Sequence, residues 1–440
     1  MSYERRVLFR HSLASVLALG LTGLTRFLYS VVVSRRFGIE ALGMANSLIS
    51  QAFLLAIPLS FFSIALGKYA SEFLGRGRRE SIKSLTVPSF LLPLAGLLLV
   101  PLNLYLGLLA VLRGIQLTLR GFLYGIHKGE HYAYIITVAF LGFLAGFLFP
   151  NVFAPYVLFL GIVALLAGVY LVKFGFLGVP GKEELRLLLS YSAFAFLGTL
   201  SGVFLIQGPY FMSERLANPE TAGQVSAVLS AAFLLTYLPQ VLQSAIMPLF
   251  SYKYGQRDGE YVRLLAEKST GLLILVTGLS VFVLMLFGRE LLSIIFAFEI
   301  GPEFYLALMA MEVYISYNPA IVALNSTAYV KKGTSVAVLG AMLSLVSWLY
   351  LIPEFGPEGV MVGLVLGYAS ILLGVAYYSR RFLGLSPGIY KPLVVLLTLQ
   401  GLVFLSKYAL FLGFMAFLIY EKNEIREGLR ILKSFRGREP

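Results

Sequence analysis

Apolar runs of about twenty residues, the length that a helix needs to cross a bilayer, recur along the chain with short polar connections between them. Fourteen such runs lie near 11–34, 41–67, 85–100, 103–126, 132–150, 154–174, 188–212, 222–247, 268–288, 304–330, 333–352, 359–379, 390–405 and 407–420. The pattern predicts an all-α polytopic membrane protein with about 14 transmembrane helices. The last two runs are short, so a single re-entrant unit over 390–420 remains an alternative to two spans.

One segment of the second run returns later in the chain. Glu40–Leu55 reads EALGMANSLISQAFLL, and Glu220–Leu235, 180 positions later, reads ETAGQVSAVLSAAFLL, with 7 of 16 residues identical. Chance similarity between two apolar helices accounts for the matched leucines, but less readily for matched Glu, Gly and Ser. A fixed-period match indicates two copies of one unit, and membrane proteins often build a transport path between such copies.

The repeat predicts two parallel six-helix bundles around a central cavity, related by a pseudo-two-fold axis along the membrane normal. The expected organisation is an N-terminal six-helix lobe over 1–178, an interfacial linker over 179–187 and a C-terminal six-helix lobe over 188–381. An extra helix pair at 382–420 and a basic amphipathic tail at 421–440 follow. In the tail, Ile425, Leu429, Leu432 and Phe435 recur at helical spacing among basic residues, which is typical of a helix on anionic headgroups.

Charge supports a single orientation in the membrane. With both termini in the cytoplasm, 27 of the 35 Lys and Arg residues face the cytoplasm and 5 face outward, as the positive-inside rule requires. The basic net charge therefore gives no support for nucleic-acid binding, because no segment between the runs is long enough to form a soluble domain. We expect a multi-pass protein of the plasma membrane.

Composition excludes several kinds of chemistry. Hydrophobic residues make up 58% of the chain, there is no cysteine, and aspartate occurs once, at Asp258. Disulfides and thiolate metal sites are therefore excluded, and a carboxylate cage for Mg²⁺ is disfavoured. We expect no metal and no cofactor. The first run carries Arg26 and has no small-residue cleavage site, so we expect it to remain as a span rather than to be removed as a signal peptide.

Three arginines fall inside the apolar runs, where each costs about 2.5–3.5 kcal/mol at the bilayer centre. They are Arg26, Arg113 and Arg120, and Gln116 and Arg120 follow Arg113 on one helical face. Arg120 could instead extend to the interface, and a salt bridge could hold one arginine. Glu312 is the one carboxylate within the runs, so the interior keeps positive charge. A water-filled cavity that binds an anionic substrate is the simplest explanation.

Neutral polar residues mark the two repeated spans as well. The second run carries Asn46, Ser50 and Gln51, and the eighth carries Gln240 and Gln243. Either these stripes hydrogen-bond neighbouring helices, or they line one shared cavity. Together with the three arginines and Gln116, they form the predicted substrate-binding set, and Glu312 is a candidate for coupling to Na⁺ or a proton.

Four stretches together resemble the multidrug/oligosaccharidyl-lipid/polysaccharide (MOP) flippase superfamily, specifically its polysaccharide branch of Wzx-type flippases. They are Phe37–Glu72, Leu112–Gly129, Pro219–Glu260 and Asn325–Val362. The turn IPEFGPEG at Ile352–Gly359 is the most specific of the motifs. Lipid II flippases are similar too, but their denser basic residues in the first helix are not evident here.

The resemblance implies a transporter rather than an enzyme. Such a protein moves a polyprenyl- or dolichyl-linked oligosaccharide from the inner to the outer leaflet by alternating access, and Arg26 and Arg113 match cavity arginines that meet the lipid pyrophosphate. Two alternatives remain open. A cation-coupled multidrug exporter would need acidic cavity residues, and a polyprenyl-dependent membrane enzyme would need acidic or histidine groups near a membrane face.

Overall fold

The computed structural model describes the backbone of residues 3–422, and within that range every regular element is helical. The α-helices are α1 (Tyr3–Phe37), α2 (Ile39–Leu59), α3 (Ser63–Gly75), α4 (Arg79–Leu91), α5 (Leu104–Gly125), α6 (Gly129–Gly146), α7 (Ala154–Lys173), α8 (Lys182–Leu216), α9 (Pro219–Ala232), α10 (Tyr237–Gly255), α11 (Gly259–Phe296), α12 (Glu303–Asn325), α13 (Val330–Leu383), α14 (Lys391–Gln400) and α15 (Lys407–Tyr420). The amphipathic helix predicted from Ile425 onward lies outside the described residues.

The all-α, multi-pass class is confirmed. Within residues 3–422, nine helices are long and apolar enough to cross a membrane. The count rises to ten if the two parts of α8, which meet at a bend of 50° between Ala193 and Phe196, form one span. The fourteen predicted runs fall mostly on helical structure. The exact number of crossings stays a prediction.

Helix α13 is two antiparallel spans rather than one long rod. Gly356 has φ 52° and ψ −126°, which reverses the chain between Pro353 and Pro357. The Ser344 hydroxyl consequently donates to the Gly363 carbonyl at 2.9 Å, although 19 residues of straight helix would separate them by about 28 Å. The reversal falls on the IPEFGPEG motif, between the predicted runs 333–352 and 359–379.

Local sequence explains several helix starts. The Asn103 side chain accepts from the first N–H groups of α5, and Asn218 does the same for α9, which has Pro219 in its first turn. The single aspartate, Asp258, accepts from the N–H of Tyr261 at the start of α11. Its position is therefore explained by helix capping. Residues 182–187 of the predicted linker form the first turns of α8.

The two repeated segments meet each other directly. A methyl group built on Gly43 of α2 would lie 1.9 Å from the Pro219 carbonyl oxygen, and one built on Gly223 of α9 would lie 2.2 Å from the Ile39 carbonyl oxygen. Only glycine allows two helix backbones to approach this closely. Each repeat glycine faces the start of the other repeat's helix, a reciprocal contact of the kind a two-fold axis produces. The superposition of the two lobes stays a prediction.

We expect Gly43→Ala to lower the thermal stability of the purified protein. The added methyl group overlaps backbone atoms of α9, and such overpacking costs about 1–3 kcal/mol. Unfolding of the full chain in detergent, followed by fluorescence, measures the change in Tm.

Gly20→Ala in α1 is the matched control, because no heavy atom lies within 4 Å of its added methyl group. This change should leave the Tm unchanged or raise it, since alanine in a helix is favoured over glycine. Equal effects of the two variants would contradict the close crossing of α2 and α9.

Candidate functional site

A cavity of about 490 Å³ lies between the two halves of the chain. Its walls come from α1, α2, α3, α5, α7, α8 and α10, and from the segments that join α2 to α3 and α9 to α10. Its polar lining includes Thr22, Thr25, Arg26, Asn46, Ser50, Arg113, Arg120, Tyr124, Tyr156, Gln207, Thr236, Tyr237 and Gln240. All three predicted intramembrane arginines thus reach one space, whereas no carboxylate belongs to its described lining.

Arg26 of α1 is held mainly by the C-terminal half. Its guanidinium carbon lies 4.4 Å from the Tyr210 ring centroid and 5.2 Å from that of Phe233, and Nη2 donates to Oε1 of Gln207 at 3.5 Å. Aromatic faces attract cations, and this attraction strengthens where water is excluded. Oε1 of Gln207 also accepts from the Ser50 hydroxyl at 3.0 Å, so this one amide joins α1, α2 and α8.

Arg113 lies on α5 and has different partners. Nη1 donates to Oε1 of Gln116 at 2.5 Å, and the guanidinium carbon lies 4.7 Å from the Phe53 ring centroid. Gln116 is 1% exposed and does not line the cavity, although the sequence pattern grouped it with the lining residues. It fixes the orientation of Arg113, whose guanidinium has five N–H donors and so retains several for a ligand.

Arg120 follows Arg113 on α5 and lines the cavity about 10 Å further along the helix axis. It is exposed, and Tyr124 lines the next turn. The cationic lining therefore extends along the cavity from Arg26 to Arg120 rather than forming one compact site.

The predicted polar stripes are divided by the structure. Asn46, Ser50 and Gln240 line the cavity, whereas Gln51 and Gln243 do not. Gln51 donates to the hydroxyl of Ser47 at 3.2 Å. Gln243 borders a separate space of about 10 Å³, beside Pro239 and Asn318.

Two glutamates lie outside the cavity lining. Glu214, near the end of α8, accepts from the Ser47 hydroxyl at 2.6 Å and so connects α8 to α2. Glu312 is fully buried on α12, and its Oε1 would lie 3.0 Å from a methyl group built on Gly278 of α11. Gln400 of α14 is its polar neighbour, and none of the ion pairs found within residues 3–422 involves Glu312. Arg113 is therefore not neutralised by Glu312.

Sequence reasoning missed Gln207 and the cavity aromatics. Gln207 is a polar residue inside the run 188–212, so the test that singled out Arg26 would have found it. Phe53, Tyr156 and Tyr237 carry no such signal, because aromatic residues are common throughout a membrane protein.

The two halves also touch at both ends of the cavity. At the predicted outer end, Nε and Nη2 of Arg35 donate to the carbonyls of Ile295 and Ile294, each at 2.6 Å, and Ser34 donates to that of Phe296. These carbonyls belong to the last turn of α11, which has no partners of its own for them. At the predicted inner end, Nζ of Lys68 lies 4.0 Å from the Tyr191 ring centroid.

Comparison with known proteins places the fold. No family model matches the sequence, and no curated protein matches it. Among solved structures, the lipid II flippase MurJ in an inward closed conformation is similar, with a TM-score of 0.66, 12% identity, and coverage of 93% of this chain and 99% of that one.

Two other solved structures are similar as well. An inward-facing multidrug resistance transporter of the MATE family gives a TM-score of 0.64 at 14% identity, covering 86% of this chain and 99% of that one. A MOP-superfamily transporter from Pyrococcus furiosus Vc1, described as having a binding pocket of reversed polarity, gives 0.59 at 14%, covering 86% and 95%. The chain therefore has the fold of MOP-superfamily transporters.

We expect Arg35→Gln to open the predicted outer end, because it removes two charge-assisted hydrogen bonds between the halves. The chain has no cysteine, so Glu40→Cys and Glu220→Cys, both at exposed positions, allow specific spin labelling. Electron spin resonance should show a longer distance between the two labels, or a broader distribution.

Arg36→Gln is the matched control. Arg36 is also exposed, but it donates to the Phe147 carbonyl within the N-terminal half. It should leave the distance unchanged. A shift of equal size in both variants would show that the Arg35 contacts do not hold the halves together.

Proposed function

We propose that this protein moves a polyprenyl- or dolichyl-linked oligosaccharide from the inner to the outer leaflet by alternating access. The observation that carries this proposal is the charge of the cavity, whose described lining has three arginines and no carboxylate. A lipid-linked oligosaccharide carries a pyrophosphate between its polar sugar and its apolar chain. Guanidinium groups bind phosphate oxygens in pairs, which suits them to this group.

Arg26 and Arg113 use only some of their N–H donors within the protein, which supports the same function. Arg26 has one long hydrogen bond to Gln207 and two aromatic neighbours, and Arg113 has one hydrogen bond to Gln116. These contacts make each cation tolerable in the protein interior without using all its donors. An incoming phosphate can therefore bind to either arginine, and at Arg26 it competes with the Gln207 amide.

The neutral lining suits the sugar part of such a substrate. Asn46, Ser50, Gln240 and the hydroxyls of Tyr124 and Tyr237 offer donors and acceptors around the cations. Sugar hydroxyls need partners of both kinds. The apolar chain would remain in the lipid, beside the cavity.

The alternative is a cation-coupled multidrug exporter, because MATE transporters are among the structural neighbours. A cationic drug needs a carboxylate in the cavity, whereas Glu214 and Glu312 lie outside its lining. Cavity charge therefore favours an anionic substrate.

Replacement of the cavity arginines tests the proposal. We expect Arg26→Ala and Arg113→Ala each to reduce transport of purified lipid-linked oligosaccharide in proteoliposomes by about tenfold or more, since a hydrogen bond to a charged group contributes about 1.5–3 kcal/mol and 1.4 kcal/mol is tenfold. Arg113→Lys should restore transport only in part, because an ammonium lacks the fork of the guanidinium.

Arg381→Ala serves as the control, since Arg381 is exposed near the end of α13 and contacts Tyr377 on its own helix. It should transport normally. Mass spectrometry of lipids that co-purify with the protein identifies the substrate independently. Export of cationic dyes that persists in the arginine variants would instead favour the multidrug alternative.

The membrane potential should drive the proposed transport. A pyrophosphate carries about two negative charges, and each gains about 2.3 kcal/mol per 100 mV on moving outward through an inside-negative potential. Proteoliposomes with the potential set by valinomycin and K⁺, and with Na⁺ and pH gradients varied separately, measure this dependence. We expect the transport rate to rise as the potential becomes more negative inside, and to be independent of the Na⁺ and pH gradients.

Glu312→Gln separates the two energy sources. Its carboxylate is the candidate for coupling to Na⁺ or a proton, and the amide keeps the shape while removing the charge. Transport that ignores the potential but stops in Glu312→Gln would establish ion coupling in place of the potential.

A further inference from the structure

We propose a second anion site in the N-terminal half, which binds the phosphate headgroup of an anionic membrane phospholipid. A pocket of about 350 Å³, separate from the central cavity, lies where α3, α5 and α7 end and α4 and α6 begin. Its volume falls within the range of small-ligand pockets. Its basic lining is Arg79, Lys128 and His131, and its other lining residues are Leu74, Gly77, Ile82, Ile126, Tyr170, Phe174 and Phe176.

The same local structure builds three sides of this pocket. Helices α3, α5 and α7 each end with a residue in the left-handed region, namely Gly77 (φ 68°), His127 (φ 59°) and Gly175 (φ 61°). In each, the N–H of the following residue bonds back five positions, to the carbonyls of Phe73, Leu123 and Leu171 respectively. This is the Schellman motif, which turns the chain sharply after a helix. The three turns bring Arg79, Lys128 and Phe176 to one place.

The basic side chains of the pocket are held in place and retain hydrogen-bond donors for an anion. The Arg79 guanidinium lies over the Phe176 ring at 5.4 Å and donates to the Phe174 carbonyl at 3.0 Å, which fixes its plane and leaves further donors. Nδ1 of His131 bonds the Tyr170 hydroxyl at 3.1 Å. Lys128 is exposed and belongs to none of the ion pairs within residues 3–422.

Nearby acidic groups do not cancel this charge. Glu72 pairs with Arg76 at 2.6 Å, and Glu80 pairs with Lys83 at 2.7 Å. Glu130, in the first turn of α6, is not part of the described lining, but it interacts electrostatically with Tyr170, which is. Its single negative charge is set against the two positive charges of Arg79 and Lys128. The pocket therefore keeps a positive balance.

Its surroundings favour a lipid over a soluble anion. Two lining residues at the rim, Leu74 and Phe174, are 40% and 41% exposed, and the neighbouring Leu177 is 51% exposed. Exposed apolar side chains of this size, at the predicted inner ends of helices in a membrane protein, belong in the acyl region beside the headgroups. A phospholipid can place its phosphate on Arg79 and Lys128 and its chains along Leu74 and Phe174. A free phosphate would leave this apolar rim without a partner.

Binding of a short-chain lipid to the full-length protein in nonionic detergent tests the site without reference to transport. The probe is dihexanoyl phosphatidylglycerol, measured by native mass spectrometry or thermophoresis. We expect it to bind about tenfold or more tightly than dihexanoyl phosphatidylcholine, and Arg79→Gln with Lys128→Gln to remove that preference. Leu74→Trp, which blocks the apolar rim without changing charge, should also weaken binding.

The matched control is Arg78→Gln with Arg186→Gln, which removes the same charge from two exposed residues outside the pocket that belong to none of the ion pairs within residues 3–422. It should bind the probe as the unaltered chain does. Equal loss in both double variants would show diffuse surface attraction, and unchanged binding in the pocket variants would place the lipid elsewhere. Either result overturns the site.

Inorganic phosphate that displaces the probe at equal concentration would show that the site does not select a lipid, and would overturn the lipid as its occupant. Arg79→Lys, which keeps the charge, should bind with intermediate affinity and confirms that loss of binding is not loss of folding.

Discussion

A cation in the interior of a membrane protein must find water, an anion or polar and aromatic partners, because its desolvation costs several kcal/mol. Arg26 meets this requirement with one amide and two aromatic rings, and Arg113 with one amide and one aromatic ring, in both cases without a carboxylate. Partners of this kind stabilise a guanidinium without neutralising it. The net positive charge of the cavity depends on these neutral partners, and so does the proposed selection of an anionic substrate. Had Glu214 or Glu312 lain beside either arginine, its carboxylate would have neutralised one of the three cavity cations.

The meeting of the two halves depends on backbone groups more than on side-chain shape. Gly43 and Gly223 let α2 and α9 cross in contact, and Arg35 satisfies carbonyls at the end of α11. Contacts of this type are either made or broken, because a hydrogen bond weakens steeply when its geometry is lost. Such contacts fit the proposed alternating access, in which the two halves move between two arrangements.

Much of this architecture is legible in the sequence, for reasons that differ by residue. The arginines could be identified because a charge within an apolar run is energetically costly. The chain reversal at Gly356 could be predicted because two prolines and a glycine interrupt the apolar pattern there. The direction in which each side chain points could not be predicted in the same way. Ser50 lines the cavity and Gln51 does not, since adjacent residues point about 100° apart on a helix. The rotation of α2 about its axis is fixed by its packing against α8 and α9, which the local pattern does not specify. The same limit explains why Gln116 was grouped with Arg113 but lies behind it.

The continuity of α1 has a mechanical consequence. Arg26, Ser34 and Arg35 stand on one uninterrupted helix, and nine residues of rise place the cavity cation about 13 Å from the contacts at the end. A helix transmits displacement along its length, so in the proposed transport cycle α1 links ligand binding at Arg26 to the contacts at the predicted outer end. A shift of the helix that frees Arg26 from Gln207 also pulls Ser34 and Arg35 away from α11. Binding of the proposed substrate in the cavity and opening of the predicted outer end are thus coupled mechanically through α1.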